Sequence, residues 1–227
     1  MKIVPTICSS PRTNNYIYRL IDTIGNIQLR IVVTGSDTSY LDKYTSNNKI
    51  EILNIPCANI GNDKISKLTN QFWNYKHCLS NDVDENDGVL ILEDDVIFSN
   101  GWNYKFESII SNLKLKFGDR FILSLFTSLP LCTVDTMPDL GFLPLPIHQF
   151  YGTQGMYYTN TIQKEIIDVF NTYNIKKIKP YDLIIRDYLI KNDIPTFVVV
   201  PCLIQHIGRQ SSWNLSSNII TAIIFNK

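Results

Sequence analysis

Apolar residues fall along this chain in two alternating rhythms. Short runs at Lys2–Cys8, Leu29–Val33, Ile50–Ile55, Val89–Leu92, Phe121–Phe126 and Thr196–Val200 predict strands. Between them the spacing becomes helical. Ile17, Leu20, Ile21 and Ile24 share one face of a helix over 16–24 that Gly25 stops. Leu68, Phe72, Tyr75 and Leu79 make a second stripe, with Lys64, Lys67 and Lys76 away from it. Trp102, Phe106, Ile109, Ile110, Leu113 and Phe117 mark the clearest amphipathic helix. Ile162, Ile166, Val169 and Phe170 mark another, and Pro180-Tyr181-Asp182 opens a last one running to about Lys191.

This alternation predicts an α/β sandwich around a largely parallel sheet. Such sheets bind ligands beyond the carboxyl ends of their strands. Ser9–Arg12, Thr34–Asp37 and Glu93–Asp95 all fall at such ends. The rhythm fails over 127–150, where Pro130, Pro138, Pro144 and Pro146 punctuate a long loop, expected to be a wall or lid over a site. Residues 151–158 predict a close approach of backbone followed by an aromatic strand, and Pro201–Trp213 reads as a polar tail containing His206. With no internal repeat or linker, residues 1–227 are expected to form a single domain. The apolar end Ile219–Phe225 suggests a polypeptide that continues.

Composition narrows the partners. Lys+Arg and Asp+Glu both number 21, so no basic excess advertises nucleic acid. The cysteines, Cys8, Cys57, Cys78, Cys132 and Cys202, are odd in number and scattered without a CxxC, which predicts reduced thiols. The start of the chain lacks the apolar stretch of a signal peptide and no run reaches membrane-spanning length. The expectation is a cytoplasmic protein, or a catalytic piece of a longer one.

The chemistry concentrates where the strand Val89–Leu92 runs straight into Glu93-Asp94-Asp95. Adjacent carboxylates repel, and burying any of them unpartnered is costly. A hard divalent cation shared with a phosphate-bearing ligand resolves that cost. The plainer alternative is a solvated acidic turn.

Taken in order, the Glu-Asp-Asp strand end, the glycine-containing segment at 152–155, Pro180-Tyr181-Asp182 opening a helix, and Gln205-His206-Ile207-Gly208 with Ser211-Ser212 after it resemble a GT-A fold glycosyltransferase. A looser similarity is to the N-terminal domain of the capsid-modifying glycosyltransferases of chlorella viruses, which would place the protein in a host cytoplasm. The resemblance implies a GT-A-like (Rossmann-like), mostly parallel central sheet flanked by helices. It also implies transfer of a hexose or deoxyhexose from a nucleoside-diphosphate donor, UDP-linked by preference, to a glycan or glycoprotein hydroxyl, with Mn²⁺ or Mg²⁺ as cofactor.

Carried onto this chain, the resemblance makes Asp95 the first metal ligand and His206 the second, with Glu93 and Asp94 nearer the ribose or the metal's waters. Thr6, Ser9 and Arg12 would meet the nucleotide, with Thr34 and Asp37 as weaker candidates. Gln210, Ser211 and Ser212 would donate to the diphosphate, and Lys76 would face the donor. Gly152 and Gly155, with Thr153 and Gln154, would bring backbone close to donor sugar or acceptor. Asp182 is the candidate base for an inverting transfer, with Asp187 as its rival. Each has an ordinary alternative. Ser, Pro and Asp favour turns, Asp182 suits a helix N-terminus, the lysines suit a solvated face, and a lone histidine is commonly structural.

Rival enzymes fit less well. A haloacid-dehalogenase-like phosphatase needs Asp where Glu93 stands, and a sugar nucleotidyltransferase needs a glycine-rich loop where Ser9–Asn14 has no glycine. No GxSxG elbow marks a serine hydrolase. A carbohydrate-binding module that has kept the fold and lost turnover stays open as an alternative.

Overall fold

The computed structural model of the chain describes residues 3–11, 15–35, 37–57, 61, 63–80, 87–131, 138–139, 141–150, 152–208, 222 and 225. Strand β1 (Thr6–Ser9) leads through helix α1 (Ile17–Ile24) to β2 (Leu29–Thr34) and β3 (Ile50–Ile55). Helix α2 (Lys64–Leu79), β4 (Gly88–Glu93), β5 (Val96–Phe98), α3 (Trp102–Phe117) and β6 (Ile122–Ser124) follow. The second half supplies β7 (Phe142–Pro144), β8 (Gly155–Thr159), α4 (Asn160–Thr172), α5 (Tyr181–Lys191), β9 (Thr196–Val199) and β10 (Ile204–His206).

An 8-stranded sheet runs in the order β3-β2-β1-β4-β8-β6-β9-β7. It is mixed α/β and mostly parallel, with β8 and β7 running against the rest. Helices cover both faces, which explains why β4 reads as an unbroken apolar run. Leu90 and Leu92 point into one core with residues of α1 and α3, while Val89 and Ile91 point into the other with residues of α2, α4 and α5. Alternate residues of β2 divide the same way, Ile31 and Val33 against Val32. Helix α2 starts before its apolar stripe because the Asp63 carboxylate accepts the Ile65 and Ser66 N–H groups at 2.9 and 3.1 Å.

Three elements depart from the sequence reading. The long loop contains β7, which adds to the sheet edge by pairing with β9. The residues after the acidic run form β5, and the expected polar tail supplies β10, which pairs antiparallel with β5. Leu203 and Ile204 are buried there. Strands this short carry no readable period, and their order comes from pairing with distant chain. Cys8, Cys57, Cys78 and Cys202 are free thiols. Among the described residues no helix is long and apolar enough to cross a membrane.

Candidate active site

The parallel register of β1 on β4 sets Cys8 opposite Glu93, so the loop after Ser9 and the acidic turn emerge side by side. That turn is not solvated. Asp94 and Asp95 are 2% and 3% exposed. Asp94 is tied back to β1, where the Ser9 hydroxyl donates to its Oδ2 at 2.7 Å and the Ser10 N–H reaches the same atom at 3.4 Å. Ser9 also lies 3.0 Å from the Tyr40 hydroxyl. A serine has one hydrogen to give, so Tyr40 is the donor in that pair. Asn74 completes the brace by donating to the Ser9 carbonyl at 3.0 Å.

Asp95 turns the other way, toward the far end of the chain. In the β5–β10 ladder His206 lies opposite Val96, and the Ile207 N–H donates to the Asp95 carbonyl at 2.8 Å. His206 Nε2 is thereby 3.3 Å from Asp95 Oδ2. Glu93 joins them: each of Glu93, Asp95 and His206 offers a ligand atom, and these atoms all lie within 4.8 Å of one another. Gly208, buried beside them, keeps the cradle open. A Cβ there would sit 2.2 Å from Asp95 Oδ2 and 3.0 Å from His206 Nε2, so the Asp95 carboxylate would have to shift to admit one. Two carboxylates and an imidazole around such a space suit a divalent cation.

A third segment closes the site from β8. Gly152, with φ of +77°, begins a strap of backbone whose Gln154 carbonyl accepts the Glu93 N–H at 3.0 Å. The hydroxyl of the buried Thr153 donates to Glu93 Oε1 at 3.3 Å and lies 2.7 Å from the Tyr181 hydroxyl. The Gly152 N–H reaches Asp182 Oδ2 at 3.4 Å, and the Leu183 N–H donates to Asp182 Oδ1 at 3.0 Å. Tyr181 stacks on Tyr75 with ring centroids 4.2 Å apart, and Tyr75 in turn meets the Tyr158 hydroxyl at 2.7 Å. Burial, and next the charge of Glu93, push the Tyr181 phenol well above its ordinary value, so it stays protonated.

Glu93, Asp95, His206 and Asp182 are thus linked by one network of contacts, with Ser9 and Asp94 bracing it. Other sequence candidates lie elsewhere. Thr6 is buried at the start of β1, the opposite end from the acids. Thr34 is buried at the end of β2, and a Cβ on the adjacent Gly35 would touch Pro11 of the β1 loop at 3.2 Å. Asp37 is exposed and accepts the Ser39 hydroxyl and N–H at 2.6 and 3.0 Å, which hold its carboxyl below the ordinary value. Lys76 lies over the Trp73 ring at 4.6 Å. Gly155 is buried in β8, where an added Cβ would meet Ile204 Cδ1 at 2.4 Å, so β10 crosses it closely. Asp187 is exposed on α5 and pairs with Lys179. Arg12, Gln210, Ser211 and Ser212 lie outside the described residues. Sequence reasoning gave no separate role to Gly208 or to the Thr153 side chain. The one usable signal was a glycine two residues after the candidate histidine.

No protein-family model matches the chain, and no curated protein matches it in sequence. Solved structures do match. TarS of S. aureus aligns with a TM-score of 0.56 at 11% identity, covering 100% of this chain and 37% of TarS. The apo-form glycosyltransferase GlyE of Streptococcus pneumoniae TIGR4 aligns with a TM-score of 0.44 at 12% identity, covering 86% of this chain and 44% of GlyE. The chain therefore spans less than half the length of either protein. The likeness to TarS is one of fold: a GT-A-like α/β architecture with a mostly parallel central sheet flanked by helices.

Proposed function

We propose that residues 1–227 form a metal-dependent glycosyltransferase domain that moves a sugar from a UDP-linked donor to a hydroxyl of a glycan or glycoprotein. The observation that carries this reading is the convergence of Glu93, Asp95 and His206 beside Gly208 at the carboxyl end of β4. The GT-A-like fold shared with TarS supports it.

Glu93, Asp95 and His206 would hold the ion. Mn²⁺ suits a site with an imidazole better than Mg²⁺, which prefers oxygen ligands throughout. A bound divalent cation would supply neutralisation of the charge that develops on the leaving diphosphate. The protein's own groups do the rest. Asp94, held by Ser9 and Ser10, keeps the turn in register with the β1 loop, the place where a nucleotide meets such a sheet. Asp182, which accepts two backbone N–H groups that fix its carboxylate, would take the acceptor hydroxyl's proton.

The test is release of UDP from a panel of UDP-sugars with Mn²⁺ present, repeated with EDTA and with Asp95→Ala. Metal-dependent release that the substitution abolishes is the expected result. No release from any donor, together with carbohydrate binding indifferent to EDTA, would overturn the reading in favour of a binding module.

A further inference from the structure

Thr153 does something that neither the strand pattern nor the metal triad requires. Its side chain is 1% exposed, yet its hydroxyl stands between two polar groups, Glu93 Oε1 at 3.3 Å and the Tyr181 hydroxyl at 2.7 Å. The directions of these bonds follow from the donors available. An ionised carboxylate only accepts, so the single Thr153 hydrogen goes to Glu93, and Tyr181 must then donate to Thr153. Tyr181 is itself clamped by its stack on Tyr75. The result is a one-way chain of O–H donors, Tyr181 to Thr153 to Glu93, anchored in the core and ending on a candidate metal ligand. Backbone reinforces it on both sides: Gln154 accepts the Glu93 N–H at 3.0 Å, and Gly152 donates to Asp182 at 3.4 Å.

We infer that Thr153, set by Tyr181, is a positioning residue that holds the Glu93 carboxylate toward Asp95 and His206, and that the strap at 152–154 registers the start of α5 against the cation site. This rests on the metal-site reading above. Carboxylates and imidazoles that bind metals depend on such supporting hydrogen bonds, whose removal typically costs about 10- to 100-fold in metal affinity.

The experiment is Mn²⁺ binding to the nucleotide-free protein, followed by the loss of the free-ion paramagnetic resonance signal, with thermal unfolding measured on every variant. Thr153→Val keeps the shape and removes the hydroxyl, and is expected to weaken Mn²⁺ binding about tenfold or more. Thr153→Ser restores the donor and is expected to return affinity to near that of the wild type. Tyr181→Phe, which leaves Thr153 in place without its own donor, is expected to fall between them. Wild-type affinity in both Thr153→Val and Tyr181→Phe, with Glu93→Gln clearly weakened, would overturn the inference and leave the metal site standing. Equal losses in Thr153→Val and Thr153→Ser would overturn it as well, marking Thr153 as packing alone. Absence of Mn²⁺ binding by the wild type would remove the metal-site reading, and the inference with it.

Discussion

His206 Nε2 lies 3.3 Å from Asp95 Oδ2, and the contact is built by the short ladder between β5 and β10, which sets His206 opposite Val96. Nothing local brings these residues together. In the proposed site both are ligands, so each single substitution should have the same signature. Asp95→Ala and His206→Ala are each expected to weaken Mn²⁺-dependent UDP binding by on the order of a hundredfold, because loss of supporting groups alone costs about 10- to 100-fold. Titration calorimetry with UDP, with and without Mn²⁺, checks this. Loss of UDP binding in EDTA as well would mean that these residues act on the nucleotide and not through an ion.

Gly208→Ala is the more selective probe. The added Cβ would fall 2.2 Å from Asp95 Oδ2, inside the space that a cation would occupy. Metal-dependent activity is expected to drop by about tenfold or more. The folded state should change little by circular dichroism, since the group being displaced is a side-chain end and not the core. Full activity in Gly208→Ala would show that the cradle is not used.

Pro180, not Asp182, holds the N-cap position of α5. Asp182→Ala therefore separates a base from a carboxylate that only ties the 152–154 strap to the first turn of the helix. A general base is worth about 10²- to 10⁴-fold in rate, so turnover should fall in that range while UDP affinity holds. A parallel loss of thermal stability and of both kinetic constants would identify the carboxylate with its other visible job, accepting the Gly152 and Leu183 N–H groups.

The core makes a prediction independent of chemistry. Leu123 in β6 is fully buried between the sheet and its helices. Leu123→Ala is expected to cost about 2–5 kcal/mol of stability by urea unfolding, from lost burial plus the cavity left behind. A cost under about 1 kcal/mol would mean that this part of the sheet can collapse around the gap.

Acid should weaken one surface cluster. Burial raises the Glu165 carboxyl, but hydrogen bonds from Tyr188 and Arg120 outweigh it and leave the folded value below the ordinary 4.5. A depressed carboxylate contributes stability that is complete above its unfolded value and is lost as pH falls through the folded one. Wild-type protein should therefore lose more stability than Glu165→Gln as the pH drops below about 4.5. Identical pH profiles would show that the cluster contributes nothing.

Much of the fold was legible because burial on both faces leaves a mark. Val89–Leu92 had to be apolar at every position, and α3 had to be apolar on one side, so both read directly from residue order. The direction of β8 did not, since a strand buried on both faces carries the same residues whichever way it runs. Neither did β7 or β10, whose short spans hold no period and whose existence depends on partners elsewhere in the chain.

The site divides along the same line. Residue order alone identified an acidic strand end that needed a counter-charge, and likeness to a known pattern singled out Asp95, His206 and Asp182. It ranked Glu93 and Asp94 together, because neighbouring acids look alike until the turn is known. Tertiary structure sorted them. The turn after β4 sends Asp94 back to Ser9 and presents Glu93, with Asp95, to His206. The cradle beside Gly208 and the donors behind Glu93 arise only when β10 and the 152–154 strap arrive from the second half of the chain. A sequence dictates its elements through local sterics and burial, but a site assembled from strand ends and crossing loops exists only once distant hydrogen bonds set their register.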